Sequence, residues 1–288
     1  MFEGVEAFYR PTTVREALHL LRKAKGTARI VAGGTGVVPG GDRSVRFLID
    51  ITRAGLSYIR KRGGAWTIGA TTTMAEIEDS AEMRMLAGGL LASAAAACGS
   101  VEIRSMATVG GNMANGSPAA DLAPPLLALD AEAAIAGTAA RRKMPLADYL
   151  AAVCAGKMKN ALLVEIVFLE PSAARGGWCF QKFGRTAVDI SLVNVAAGLQ
   201  LDARGRVKWA RIALGAVAPL PLRMPAAEAL MTGRILDRAL LAEAAESVSD
   251  TVHPIGDIRA SADYRREISR VLTGRALEQC AARAGYSL

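Results

Sequence analysis

The chain has 288 residues, 51% of them hydrophobic and 22% charged, enough to bury the cores of about two domains. Lysine and arginine outnumber aspartate and glutamate by 35 to 27, a net charge of +8. These charges fall in short scattered runs (Arg60-Lys61-Arg62, Arg141-Arg142-Lys143, Arg265-Arg266) with no interleaved aromatics, which argues against a nucleic-acid surface.

Cys98, Cys154, Cys179 and Cys280 form no C-x-x-C pair, and the only histidines are His19 and His253. Such dispersal disfavours an iron–sulfur or zinc centre. No secretory signal and no apolar run long enough for a bilayer is found, so the expectation is a cytoplasmic protein with reduced, buried thiols.

In chain order, "TTVREALHLLRKA" places Val14, Ala17, Leu18, Leu21 and Ala24 on one helical face. Thr12 or Thr13 caps it, Glu16 completes a capping box from Thr13, and Gly26 ends it. "ARIVAG" and "RFLIDI" predict two short strands, the start of an α/β layer. "AWTIGATTTMAEIEDS" predicts a strand and then a helix. "MRMLAGGLLASAAAAC" predicts another helix, weakened by Gly88 and Gly89. "EAAIAG", "ALLVEIVFLE", "GWCFQKF", "SLVNVAAGLQLD" and "VKWARIALGAV" predict strands, with "ARGR" as the hairpin turn between the last two. From Pro225 the pattern is helical, and the last segment aligns Tyr264, Ile268, Val271, Leu272 and Leu277. "EPSAARGG" marks the expected boundary between domains at 1–173 and 174–288.

Two glycine-rich stretches carry the chemistry. "VAGGTG" follows a strand, where glycines let backbone N–H groups approach a ligand and form an anion-binding concavity. It is neither G-x-G-x-x-G nor a P-loop, and a plain tight turn is the alternative. "ATVGGNMANGSPAAD" adds a hydroxyl, paired glycines and amides, with Asn115 and Ser117 as further hydrogen-bonding groups. Asp121 reads either as the N-cap of the helix "LAPPLLALDA", whose Pro124 and Pro125 fit a first turn, or as an acceptor for ribose hydroxyls. A dinucleotide diphosphate, gripped from both stretches, accounts for the pair.

"VAGGTG", "WTIGATTTMAEIE", "TVGGNMANGSPAADLAPPLLALDA" and "KFGRTAVDISLVNVA" occur in this order. Over nearly its whole length the chain thereby resembles the FAD-binding medium subunit of the molybdenum hydroxylases, the family of carbon monoxide dehydrogenase and xanthine dehydrogenase. The resemblance implies an α+β fold: a two-lobed FAD-binding domain of the vanillyl-alcohol-oxidase/molybdenum-hydroxylase type, split near residue 55. A small C-terminal domain with a three-stranded antiparallel sheet and helices follows. It implies that Val31, Ala32, Gly33, Gly34, Thr35, Gly36 and Val37, with Thr108, Val109, Gly110, Gly111 and Asn112, hold the FAD diphosphate. Ser117 and Asp121 fall near the sugar and diphosphate, and Lys182, Asp189 and Ile190 near the flavin ring. The family usually carries Asp or Ser where Gly36 stands, so one polar contact is missing. No cysteine-rich loop for an extra cluster is present, unlike hydroxybenzoyl-CoA reductase.

The implied function is electron transfer. A small partner with 2Fe–2S clusters delivers electrons that a large partner with the molybdenum cofactor takes from substrate, and FAD passes them to NAD or a quinone. No catalytic residue and no metal ligand is assigned to this chain. Asp189 is either a group tuning ring protonation or a solvated strand-end carboxylate. The alternatives are a non-catalytic FAD-holding or assembly module and a stand-alone flavin oxidase.

Overall fold

The computed structural model describes residues 4–137, 140–172 and 174–288. The boundary expected at 173 falls on Ala173, outside them. Two compact units are present. One comprises Met1–Glu76, Ser100–Gly116 and Ala131–Leu169; the other comprises Ile77–Gly99, Ser117–Asp130 and Glu170–Leu288.

The first unit opens with a parallel sheet of β1 (Ala7–Tyr9), β2 (Ala28–Val31) and β3 (Phe47–Asp50), with β3 in the middle. The helix Val14–Lys23 begins as its sequence dictates. Thr13 Oγ1 accepts from the Glu16 N–H at 3.1 Å. The Glu16 carboxylate accepts from the Thr12 N–H at 2.9 Å, one residue earlier than a standard capping box. Its apolar face, Ala17, Leu18 and Leu21, packs with Ile49, Ile51, Leu162 and Val164.

A second, antiparallel sheet holds β4 (Ile59–Arg62), β5 (Ala65–Gly69), β6 (Glu132–Ala136), β7 (Arg141–Pro145) and β8 (Leu162–Leu169) in the order β4-β5-β8-β6-β7. Its two edges are β4 and β7, and two of the basic runs lie on them, exposed. Charged edge strands resist pairing with other chains. Sequence periodicity missed β1, β4 and β7 for one reason: each is short and little buried, so no alternation marks it. It also missed the helix Leu146–Cys154. Cys154 ends that helix exposed, so only Cys179 and Cys280 fulfil the expectation of buried thiols, and Cys98 is half-buried.

Beside β4, the Tyr58 hydroxyl donates to Glu165 on β8. Burial and this carboxylate push the Tyr58 phenol up to about 12. The protonated phenol is therefore favoured by folding. Its contribution to stability is complete below the unfolded value near 10 and is lost as pH rises to about 12. Glu165→Gln is expected to bring forward one of the late steps in a phenolate absorbance titration. An unchanged titration refutes this reading.

The second unit is built on an antiparallel sheet of β9 (Gly176–Phe183), β10 (Val193–Leu201), β11 (Val207–Gly215) and β12 (Leu222–Arg223), in the order β12-β11-β10-β9. The three expected strands are joined by a fourth of two residues. The predicted hairpin turn is present: Asp202 accepts from the N–H groups of Arg204 and Arg206 at 2.7 and 2.9 Å. Helices Pro225–Met231, Arg238–Thr251 and Ala262–Arg283 follow. Their Met231, Leu240, Val248, Ala276 and Leu277 share a core with Val195, Leu199, Ile212 and Leu214 of the sheet. The single helix expected over the alanine-rich segment is instead broken. Helices Ala81–Met85 and Leu90–Ala96 flank a turn in which Ala87, Gly88 and Gly89 all have positive φ, which no right-handed helix accommodates.

Candidate functional site

The chain leaves β2 at Val31 and enters the first glycine stretch. The N–H groups of Gly33, Gly34, Thr35 and Gly36 have no acceptor among the described residues. Successive free N–H groups with a left-handed residue among them, here Gly34 at φ 73°, make a concavity suited to an anion. The backbone of Met106 closes against its base. A Cβ on Gly33 would lie 1.6 Å from the Met106 carbonyl oxygen, so only glycine permits this approach.

That contact brings the second glycine stretch to the first within the same unit. Thr108 caps the short helix Val109–Ala114, its Oγ1 accepting from the Gly111 N–H at 3.0 Å. The remaining N–H groups are also committed inside the chain: Val109 donates to Thr72 O, Gly110 to Ala70 O and Asn112 to Thr108 O, all within 2.9 Å. Val109 and Gly110 are buried. A Cβ on Gly110 would meet Ala70 at 2.7 Å, so this glycine serves packing. Gly111 is exposed, and the second stretch presents side chains rather than a row of free N–H groups.

Ser117, Asp121, Lys182, Asp189 and Ile190 belong to the second unit. Asp121 is not the helix cap that the sequence suggested. The helix is Ala123–Ala128, preceded by Leu122 with no side-chain cap, and Pro124 and Pro125 sit in its first turn as expected. The Asp121 carboxylate, almost fully buried, turns instead to three donors on distant sequence. Ser191 Oγ donates at 2.6 Å, Asn194 Nδ2 at 2.9 Å and Lys182 Nζ at 2.9 Å. Lys182 also donates to the Ala97 carbonyl at 2.7 Å. Three partners outcompete a local cap because a buried carboxylate needs its charge and its lone pairs matched. Sequence reading missed Ser191 and Asn194; both are small polar residues beside or within a buried strand, the one signal available. Asp189 pairs with Arg185 at 2.9 Å, Ile190 is exposed, and Ser117 Oγ accepts from the Ala119 N–H at 3.3 Å.

Residues 2–169 match the family described as the FAD binding domain in molybdopterin dehydrogenase, and residues 178–280 match the CO dehydrogenase flavoprotein C-terminal domain. The chain belongs to the molybdopterin dehydrogenase FAD-binding family. This flavoprotein is similar to the xanthine dehydrogenase FAD-binding subunit of Escherichia coli O157:H7, at 32% identity over 98% of both chains. It is 30% identical to the carbon monoxide dehydrogenase medium chain of Hydrogenophaga pseudoflava, over 96% of this chain and 97% of that one. Among solved structures, carbon monoxide dehydrogenase from Hydrogenophaga pseudoflava superposes with a TM-score of 0.90 at 30% identity, covering 98% of this chain and 99% of that chain. Quinoline 2-oxidoreductase from Pseudomonas putida 86 gives 0.87 at 26% identity, over 99% and 100%. The flavoprotein is thus an FAD-binding member of an oxidoreductase family, and its α+β fold agrees with that membership. The free N–H groups at residues 33–36 fit the diphosphate of FAD. No helix among the described residues is long and apolar enough to cross a membrane.

Proposed function

We propose that this chain is the FAD-carrying electron-transfer subunit of a multi-subunit molybdenum hydroxylase. In this reading a small partner holds 2Fe–2S clusters, a large partner holds the molybdenum cofactor, and the electron acceptor is NAD or a quinone. The relatives named as an FAD-binding subunit and a medium chain support a multi-chain assembly. The observation that carries the flavin site is the set of four N–H groups at residues 33–36 that have no acceptor among the described residues, packed against the Met106 backbone. Bound FAD supplies the exchange between single electrons and electron pairs. The chain's own part is to bind and orient it.

Gly33, Gly34, Thr35 and Gly36 donate to one end of the diphosphate, between the flanking Val31, Ala32 and Val37. Thr108 and Asn112 would hold the other end through their side chains, beside Gly111 and on a floor formed by Val109 and Gly110. About four acceptor sites are available on a carboxylate. Three on Asp121 are filled, which leaves one on Oδ2 for a sugar hydroxyl near Ser117. Lys182, anchored at both Asp121 and Ala97, fixes the segment through Asp189 and Ile190 that is assigned to the ring. The four cysteines, none of them in a disulfide, suit work in the reducing cytoplasm.

The purified chain is expected to show a flavin absorption spectrum and to release FAD on heating. Its flavin should be reduced when the two partners and their substrate are added, not by substrate alone. A colourless chain that refuses added FAD refutes the flavin site. Substrate-dependent reduction of the isolated chain refutes the electron-transfer role in favour of a stand-alone oxidase.

A further inference from the structure

Asn115 stands where the helix Val109–Ala114 ends. Its N–H donates to the Gly111 carbonyl at 3.0 Å and its backbone is right-handed helical, so its position is fixed. Its carboxamide reaches the first glycine stretch. Oδ1, Cγ and Nδ2 would lie 3.1, 3.2 and 3.3 Å from a Cβ on Gly36. Near-equal distances to three atoms mean that the flat face of the amide covers Gly36. The residue is exposed, and its side chain has no hydrogen-bond partner among the described residues. A carboxamide thus lies beside a row of free N–H groups with both its donors and its acceptor unspent. The second stretch has no free N–H at Val109, Gly110, Gly111 or Asn112, so its polar contribution to a ligand comes from side chains.

From this geometry we infer that Asn115 is an FAD-binding residue, its Nδ2 donating to a diphosphate oxygen across Gly36. The inference rests on the proposed flavin site and deepens it. It gives the missing side chain at position 36 a purpose: a Cβ there would stand 3.1 Å from Asn115 Oδ1 and push the amide back by a few tenths of an ångström. Gly36 and Asn115 form one complementary pair, in which the polar group is supplied from the second stretch.

The test is the FAD affinity of the full chain, read by quenching of flavin fluorescence, together with the melting temperature of the FAD-free chain. A hydrogen bond to a charged group is worth about tenfold or more in affinity. Asn115→Ala is expected to weaken FAD about tenfold with an unchanged melting temperature, since no internal bond is lost. Asn115→Asp, of equal size but carrying a charge that repels the diphosphate, should weaken it further. Gly36→Ser should also weaken FAD, yet Gly36→Ser combined with Asn115→Ala should cost less than the two losses multiplied, because the clash is gone. If the wild type binds FAD and Asn115→Ala and Asn115→Asp bind it equally well, the inference is overturned while the flavin site stands. If Asn115→Ala lowers the FAD-free melting temperature as much as it lowers affinity, Asn115 is structural and the inference is likewise overturned. A wild-type chain that takes up no FAD removes the site itself.

Discussion

Gly33→Ala is expected to yield a chain that folds less stably and retains no FAD. The added methyl would stand 1.6 Å from the Met106 carbonyl oxygen, 2.4 Å from the carbonyl carbon and 3.1 Å from the Ala107 nitrogen. All three are backbone atoms, so no rotamer change relieves the clash. Either the first glycine stretch or the segment leading into Thr108 must move. Overpacking of this kind costs about 1–3 kcal/mol, and main-chain partners place it toward the upper end. The effect on FAD is larger, because the N–H groups at residues 33–36 act together. Loss of two bonds to a charged diphosphate, each worth about 1.5–3 kcal/mol, weakens binding more than a hundredfold. Gly34→Ala is the control. Gly34 has φ 73°, but its Cβ would meet nothing nearer than Val38 Cγ2 at 3.5 Å. It should cost only the left-handed strain of about 1–2 kcal/mol and leave Met106 in place. Flavin content after purification and the melting temperature decide the matter. Equal behaviour of the two variants would mean that the Met106 contact does not shape the site.

The second large effect concerns Asp121. Asp121→Ala strands the Lys182 ammonium in a buried position and removes the acceptor of Ser191 and Asn194. Breaking a buried pair from one side costs about 3–5 kcal/mol. Lys182→Met should cost less, since Asp121 keeps two donors and the lost cation takes its desolvation penalty with it. Asp121→Asn should fall between, retaining an acceptor oxygen without the charge. Urea denaturation of the FAD-free chain gives the ranking. The exposed pair of Arg234 with Glu243 provides the contrast, and its removal should be barely measurable. If Asp121→Ala proves as mild as Arg234→Ala, the cluster does not hold the segment around Lys182.

These expectations draw unequally on sequence and on structure. The capped helix at Val14–Lys23 was legible because its cap and its apolar face lie within a dozen residues. The same holds for β10 and β11, two long buried strands joined by a turn whose Asp202 bonds are local. The glycine stretch after β2 was legible as a loop leaving a strand because glycine content and a strand-to-loop change are local properties; its use as an anion site belongs to the proposed function. The resemblance over four ordered motifs reached further, to the family and its cofactor.

The residues of Asp121's cluster were not legible. Its local sequence offered a cap, and three donors 61 to 73 residues away took the carboxylate instead. Nor did sequence reveal that the second glycine stretch spends its N–H groups internally, that Asn115 covers Gly36, or that two basic runs guard sheet edges. The sequence by itself determined the helix Val14–Lys23, the long buried strands and the family. The tertiary structure alone decided which buried charge meets which, and which glycine yields to a neighbouring backbone. Local chemistry sets backbone preference and periodicity, whereas burial forces a polar group to find a partner wherever the fold brings one.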